Sequence, residues 1–410
     1  MTETDTFGAD AARWIDRLAE VSEPGPGVTR MPFSDEHRRV LPLLTELMEA
    51  AGLTVTMDAS GTLIGRRDGP SGAPVLLLGS HQDSVREGGA YDGAMGIVLP
   101  ALALKALRDT DLPFAVELLA FADEEGARFP TALMGPRALA GTFDMASLEL
   151  KDPAGISLRQ AMTDFGLDPD ALPGLKRDPA GILGWIECHI EQGPVLEAEG
   201  EALGVVTAIC GIERHTARVT GQAAHAGTVP MALRRDALAG AAELVTSVEA
   251  RARATDGLLA TVGALRVQPG VVNAVPGAVD LTVEIRAPVD KVREVAGTAL
   301  TSEGSEIAAA RGLDLEMTRT YAQAATPCDP ALQDALEAAI KATGGAGRRM
   351  ASGATHDSSA MADLCPVAMM FLACRDGVSH NPAEYCPPEV MGQAVAAWVD
   401  LLPRLAPGRG

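Results

Sequence analysis

Four short apolar runs in this chain each lead into residues that titrate or bind metals. PVLLLGS runs into His81, and FAVELLAFA into Glu124 and Glu125. GWIECHI carries His189, and PVAMMFLAC leads through a short loop to His380. An apolar run of this length without polar alternation predicts a strand buried on both faces. Helical patterns lie between the runs. In SDEHRRVLPLLTELMEAAG, Val40, Leu44, Leu47 and Ala51 recur on one face. Ser34 can cap its start and Gly52 can end it, while Pro42 is expected to kink it or delay its first turn. Alternating helices and doubly buried strands predict an α/β fold with a mostly parallel sheet covered by helices. Such sheets gather their sites beyond the carboxyl ends of the strands. The four runs would therefore deliver His81, Glu124/Glu125, His189 and His380 to one edge, with Asp92 brought there by the loop that starts at His81.

From about residue 211 the pattern changes. Residues 212–220 alternate like a strand with one wet face, and 234–253 read as a helix. LLATVGALRV and AVDLTVEIR read as two strands, 289–311 as a helix, and LDLEMTRTY as a last strand. The order β-α-β-β-α-β predicts a ferredoxin-like unit inserted into the first. The expected division is a discontinuous catalytic domain, 1–208 and 325–410, and a lid or dimerisation domain, 209–324.

The formal net charge of −21 disfavours nucleic acid and anionic membrane as partners. The first residues carry no signal-peptide pattern, and no run of about 20 apolar residues predicts a membrane span. Six scattered cysteines without a CxxC pair read as reduced thiols of a cytoplasmic protein.

Imidazoles and carboxylates together suit zinc, manganese, cobalt or nickel. Three histidines, Asp92 and one glutamate would serve two ions, with Asp92 as the bridge. Two such ions can hold a hydroxide and polarise a carbonyl. Of two adjacent glutamates, one can ligate while the other acts as general base. Taken singly, a strand-end histidine is more often structural, and a Glu-Glu pair is usually a solvated helix start. The weight lies in every candidate following a separate buried strand.

GSHQDSVREGGAYDG, FADEEGARF, ECHIEQGPVLE, AAHAGTVPMALRRDAL, SGATHDSSAMA and GVSHNPAEY occur in this order. Together they resemble the hydantoinase/carbamoylase family of two-metal amidohydrolases, which includes N-carbamoyl-L-amino acid hydrolases, allantoate amidohydrolases and β-ureidopropionases. The resemblance implies that His81, Asp92, Glu125, His189 and His380 hold two divalent ions, with Glu124 as general base and Asp83 orienting His81. It implies that His225 stabilises the oxyanion across a homodimer interface. It implies that Gln192, Arg214, Asn273, Arg286 and Gly353 bind a small anionic ureido substrate, with Arg286 on its carboxylate. On the residues alone, Arg286 reads as a solvent-facing strand charge and Asn273 as a turn residue. His37 and His215 have no motif around them. His356, beside Asp357, is expected near the site without ligating. Two positions depart from the family: Thr355 stands where glycine is usual, and Pro136 where serine is usual. The expected reaction is hydrolysis of an N-carbamoyl-L-amino acid or allantoate, releasing ammonia and carbon dioxide. The rival readings are a two-metal aminopeptidase or deacylase, and a non-catalytic binding relative.

Overall fold

The structure, a computed structural model, describes residues 2–405. Met1 and residues 406–410, assigned from sequence to the first domain, lie outside the described residues. The chain forms two compact units. One comprises residues up to Thr207, Cys328–Met350 and those from Ala354 on; the other comprises Ala208–Pro327 and Ala351–Gly353. Ala351–Gly353 thus group with the second unit, although the sequence pattern assigns 325–410 to the first. The cause is local: the Cys210 amide donates to the Ser352 carbonyl (2.9 Å), and the Arg286 guanidinium donates to the Gly353 carbonyl.

The first unit is built on a mixed sheet. Its strands include Thr54–Met57 (β1), Leu63–Arg67 (β2), Val75–His81 (β3), Ala115–Phe121 (β4), Ile182–Ile190 (β5), Leu203–Ile209 (β6) and Val367–Leu372. At its centre β4, β3, β5 and Val367–Leu372 lie side by side and parallel. The margins are antiparallel: β1 pairs β2, β2 pairs β4, and β6 pairs Val367–Leu372. The apolar runs predict the parallel centre. The β1–β2 margin was not legible in the sequence, because its residues are short and half exposed.

Alternate residues of the central strands feed two cores. Leu76, Leu78, Val116, Leu118, Ile186 and Met370 join one core with the helices Ala94–Ala106 and Pro388–Arg404. Leu77, Leu119, Phe121, Trp185 and Val367 join the other. Both faces are therefore dry, which is why these strands show no polar alternation. Register fixes where they end: His81 sits opposite Phe121, and His189 opposite Phe371. The ladder aligns the strand ends, so the loops leaving them meet at one edge.

Helix Asp35–Ala50 starts where expected, with Ser34 Oγ accepting the His37 amide (3.1 Å). Pro42 does not interrupt it. Gly52, at φ 81°, follows its end. No helix of the described residues is long and apolar enough to cross a membrane, and all six cysteines are free and buried.

In the second unit Leu265–Gln268, Ala278–Ala287, Gly211–Thr220 and Asp314–Gln323 form an antiparallel sheet in that order. Helices Ala237–Ala254 and Asp290–Ala310 pack on one face over Ala217, Val219, Leu281, Val283 and Ile285. The helix expected from 234 begins later, because the Asp236 carboxylate caps the amides of Leu238 and Ala239. LLATVGALRV is two short strands, Leu259–Thr261 and Leu265–Gln268, rather than one. Between them the Ala264 amide turns to the Thr282 hydroxyl (3.1 Å).

Candidate metal centre

The site is assembled at the aligned strand ends of the first unit. His81 is the last residue of β3 and His189 lies near the end of β5. Glu124 and Glu125 follow β4, and His380 lies in the loop after Val367–Leu372. Asp92 returns on the loop from His81. Gly93 makes that return possible at φ 65°, where a Cβ would lie 2.5 Å from the His81 ring.

Asp92 is the centre. Its Oδ1 lies 3.2 Å from His81 Nε2 and 3.0 Å from His189 Nε2. Its Oδ2 lies 3.4 Å from His380 Nε2, which is itself 3.6 Å from Glu125 Oε2. Donor atoms of His81, Asp92 and His189 fall within 4.8 Å of one another, and so do those of Asp92, Glu125 and His380. A third such set, His81, Glu124 and Glu125, overlaps both. One carboxylate is thus common to two donor sets, each with its donor atoms close enough together to hold a cation.

The imidazoles are oriented from behind. His81 Nδ1 meets the Asp83 carbonyl at 3.0 Å and its carboxylate at 3.5 Å, and His189 Nδ1 meets the Ile190 carbonyl at 3.0 Å. These contacts direct both Nε2 atoms toward Asp92. Asp83 also holds the next strand end, where its carboxylate accepts the amides of Glu124 (3.1 Å) and Glu125 (3.3 Å). Gln192, expected to bind substrate, donates to Asp92 Oδ2 (2.8 Å) and to the Ser379 hydroxyl (3.1 Å). Ser379, not anticipated from sequence, donates to the same Asp92 oxygen (3.1 Å). Ser379 and Glu384 lie in the GVSHNPAEY stretch, but Tyr91 and Asp92, the loop residues they hold, are 287 or more residues away, so spacing could not reveal them.

The electrostatics fit a bound cation. Asp83, Asp123 and Glu124 are all buried, and Glu125 Oε1 is buried with no hydrogen-bond partner. Burial, then repulsion from Glu125, pushes the Glu124 carboxyl well above its ordinary range, against the pull of His81. Burial and the Asp92 charge push Glu125 up to about 7. Burial would raise Asp92 too, but the His189 charge and hydrogen bonds from the three histidines hold it well below its ordinary value. The hydrogen bond to Asp92 lifts His380 to about 9. This many buried carboxyl groups need positive charge among them. Divalent cations on imidazole and carboxylate donors would supply it.

His356 stacks edge-on against His189 at 4.6 Å between ring centres. Asp357 is buried behind it, its carboxyl pushed well above its usual range by burial and by Glu187. Thr355 is half-buried and Pro136 is buried in the short helix Met134–Ala140.

The remaining expected residues belong to the second unit. His225 is exposed on the strand Ala224–His225, which pairs with Ala274–Val275 beside Asn273. Arg214 and Arg286 lie on the helix-free face of the sheet and share Glu284, at 2.7 Å for each. Arg286 also reaches the Gly353 carbonyl. His215 faces the helices, 2.6 Å from the buried Glu213, and Arg293 lies 2.7 Å from that carboxylate. His215 therefore belongs to an internal polar cluster with Glu213 and Arg293.

The profile of the peptidase family M20/M25/M40 matches residues 77–404. An N-carbamoyl-L-amino acid amidohydrolase of Geobacillus stearothermophilus is 40% identical over 376 residues, which is 90% of this chain and 92% of that one. An allantoate deiminase of Arabidopsis thaliana is 36% identical, over 96% of this chain and 81% of that one. A crystal structure of an amidase of the hydantoinase/carbamoylase family from Burkholderia multivorans superposes with a TM-score of 0.90 at 33% identity. That match covers 96% of this chain and 97% of the other. The chain therefore belongs to the peptidase family M20/M25/M40 and, within it, to the hydantoinase/carbamoylase amidohydrolases.

Proposed function

We propose that this chain is a cytoplasmic, homodimeric amidohydrolase that uses two divalent cations to hydrolyse the ureido C–N bond of a small carboxylate. An N-carbamoyl-L-amino acid and allantoate are the two substrate candidates, since relatives named for each match nearly the whole chain. The observation that carries the reading is Asp92, with one oxygen facing His81 and His189 and the other facing His380. Two cations held there by His81, Asp92, His189, Glu125 and His380 would polarise the scissile carbonyl and activate water. Zinc, manganese, cobalt and nickel all suit these donors.

Glu124 takes a proton from the attacking water and returns it to the leaving nitrogen. Asp83 fixes its backbone, and a proton affinity raised by burial suits the return of the proton to the leaving nitrogen. One water and one ureido group then yield an amine, ammonia and carbon dioxide. His225 stabilises the developing oxyanion of the partner subunit's site. The Gly227 amide donates to His225 Nδ1 (3.1 Å), so the proton sits on Nε2, which is free to donate. Arg286 holds the substrate carboxylate with the N–H groups it does not spend on Glu284 and Gly353, a geometry its planar fork allows. Asn273, Arg214, Gly353 and Gln192 complete the substrate contacts.

The second unit is a ferredoxin-like lid and dimerisation domain. Its two central strands lie side by side, flanked by the second and fourth in chain order, with both helices on one face, as that layout requires. Exposed Val271, Val272, Met231 and Leu233 flank Asn273 and His225 and suit burial against a second copy. A reducing compartment fits the six free cysteines.

The test is ammonia release from N-carbamoyl-L-amino acids, β-ureidopropionate and allantoate, with each of the four metals. Release from at least one is expected. Cleavage of N-acyl amino acids or dipeptides without any ammonia from a ureido substrate would replace this reading with that of a deacylase.

A further inference from the structure

The loop that carries His380 also carries Glu384, a residue the reaction above does not use. Its side chain is buried, and its Oε1 accepts the backbone amides of Tyr91 (2.9 Å) and Asp92 (3.0 Å). Those amides lie in an irregular loop, where buried donors need some acceptor. Gly89 makes the room: a Cβ there would lie 2.1 Å from Glu384 Oε1 and 2.2 Å from its carboxyl carbon. The other oxygen, Oε2, is buried with no hydrogen-bond partner. One acceptor atom therefore holds both amides, while the Ser379 side chain also engages the carboxylate.

The two cation positions differ in what supports them. His81 and His189 sit within strands β3 and β5 and are themselves held in register, opposite Phe121 and Phe371. His380 lies beyond the end of its strand at Leu372, in a half-exposed loop at φ 54°. A tight turn joins it to Glu384: the Glu384 amide donates to the Asn381 carbonyl (3.0 Å), and the Ala383 amide to the Asn381 side chain (2.9 Å). A clamp at Glu384 is thus passed to His380 through a short, hydrogen-bonded segment.

We propose that Glu384 is a positioning residue that ties the Asp92 loop to the His380 loop, and so sets the cation position made by Asp92, Glu125 and His380. The position made by His81, Asp92 and His189 depends on it less. The inference rests on the two-cation reading above.

The test uses metal-free, full-length protein titrated with cobalt(II), followed by visible absorption and by metal analysis of the isolated protein. Wild type should bind two ions per chain. Glu384→Ala should keep one tight ion and bind the second about 10–100-fold more weakly, the usual cost of losing support behind ligands. Glu384→Gln retains an acceptor oxygen and should hold the second ion within about threefold of wild type. Gly89→Ala, whose methyl would displace the carboxylate, should reproduce the selective loss; it decides the matter if circular dichroism shows Glu384→Ala unfolded. Two ions bound at wild-type strength by Glu384→Ala, or by Gly89→Ala in its place, would overturn the inference. So would a Glu384→Gln chain that loses the second ion as fully as the alanine variant. A wild-type chain that fails to take up two ions brings down the two-cation reading itself, and this inference with it.

Discussion

Charged groups do opposite things at the strand ends of the first unit and on the open sheet face of the second. At the strand ends His81, Asp83 and His189 are buried, the Asp92 side chain is only 7% exposed, and most of them have two or more partners within about 3.5 Å. On the open face Arg214, Glu284 and Arg286 are partly exposed, and one carboxylate serves two guanidinium groups. The buried set is locked before any ligand arrives, as bond-breaking chemistry requires. The exposed set can trade partners, as the proposed capture and release of a substrate carboxylate would require. Substitutions at the strand ends should therefore act on turnover, and those on the open face on binding.

The largest effect tests the first half of that contrast. Glu124→Gln should lower kcat by about 10²–10⁴-fold, the usual worth of a positioned proton-transfer group. Its metal content should stay at the wild-type level, because Glu125 is the proposed ligand. Turnover within a few fold of wild type would remove Glu124 from the mechanism.

The next concerns the exposed His225. If it serves the partner subunit's site, Glu124→Gln and His225→Ala chains are inactive apart yet complement each other. Random pairing gives half heterodimers with one intact site of two, so about a quarter of wild-type activity should return on mixing. No recovery from freely exchanging subunits would assign His225 to its own chain's site or to none.

Arg286→Lys should raise KM by about 10–100-fold while kcat changes much less, since lysine keeps the charge but loses the fork. A fall in kcat at unchanged KM would break the contrast between the two regions.

The same contrast explains what the sequence revealed. His81, His189 and Glu124/Glu125 were legible because each ends or follows a strand whose two dry faces leave an unbroken apolar run. Strand order then did the rest, since parallel neighbours in register put their ends together. Asp92 was legible through its glycine-rich loop. Arg214, Asn273 and Arg286 were not legible physically: a strand charge and a turn asparagine look alike whether or not they bind anything, and only the family resemblance singled them out. Glu384 escaped for a third reason. It accepts backbone amides 292 and 293 residues away, and backbone amides leave no mark in a sequence. The β1–β2 margin and the break at Val262–Ala264 were missed because short, half-exposed strands carry little periodic signal.

The smallest effect separates burial from the company of carboxylates. His81 and His37 are both fully enclosed, yet they shift in opposite directions. Burial alone would lower His81, but Asp83, Asp92 and Glu124 lift it well above its ordinary value. His37 stacks on Phe165 at 4.6 Å and accepts the Phe33 amide on Nδ1 (3.0 Å), with no carboxylate at hand. Burial, then the charges of Arg30 and Arg38, pushes it down to about 3. In the unfolded chain His37 regains its ordinary value of 6.5, so below that pH the unfolded state binds a proton the fold refuses. Stability from this group is whole above pH 6.5 and falls as the pH drops toward 3, by about 1.4 kcal/mol per unit. Between pH 7.5 and pH 5 the loss should be about 2 kcal/mol. His37→Asn keeps an acceptor for the Phe33 amide but cannot titrate. Denaturant unfolding of metal-free protein at the two pH values should show the variant less acid-sensitive than wild type by that amount. Equal sensitivity would mean that His37 reaches a proton in the folded state, through an opening that the packing of Phe33 and Phe165 does not show.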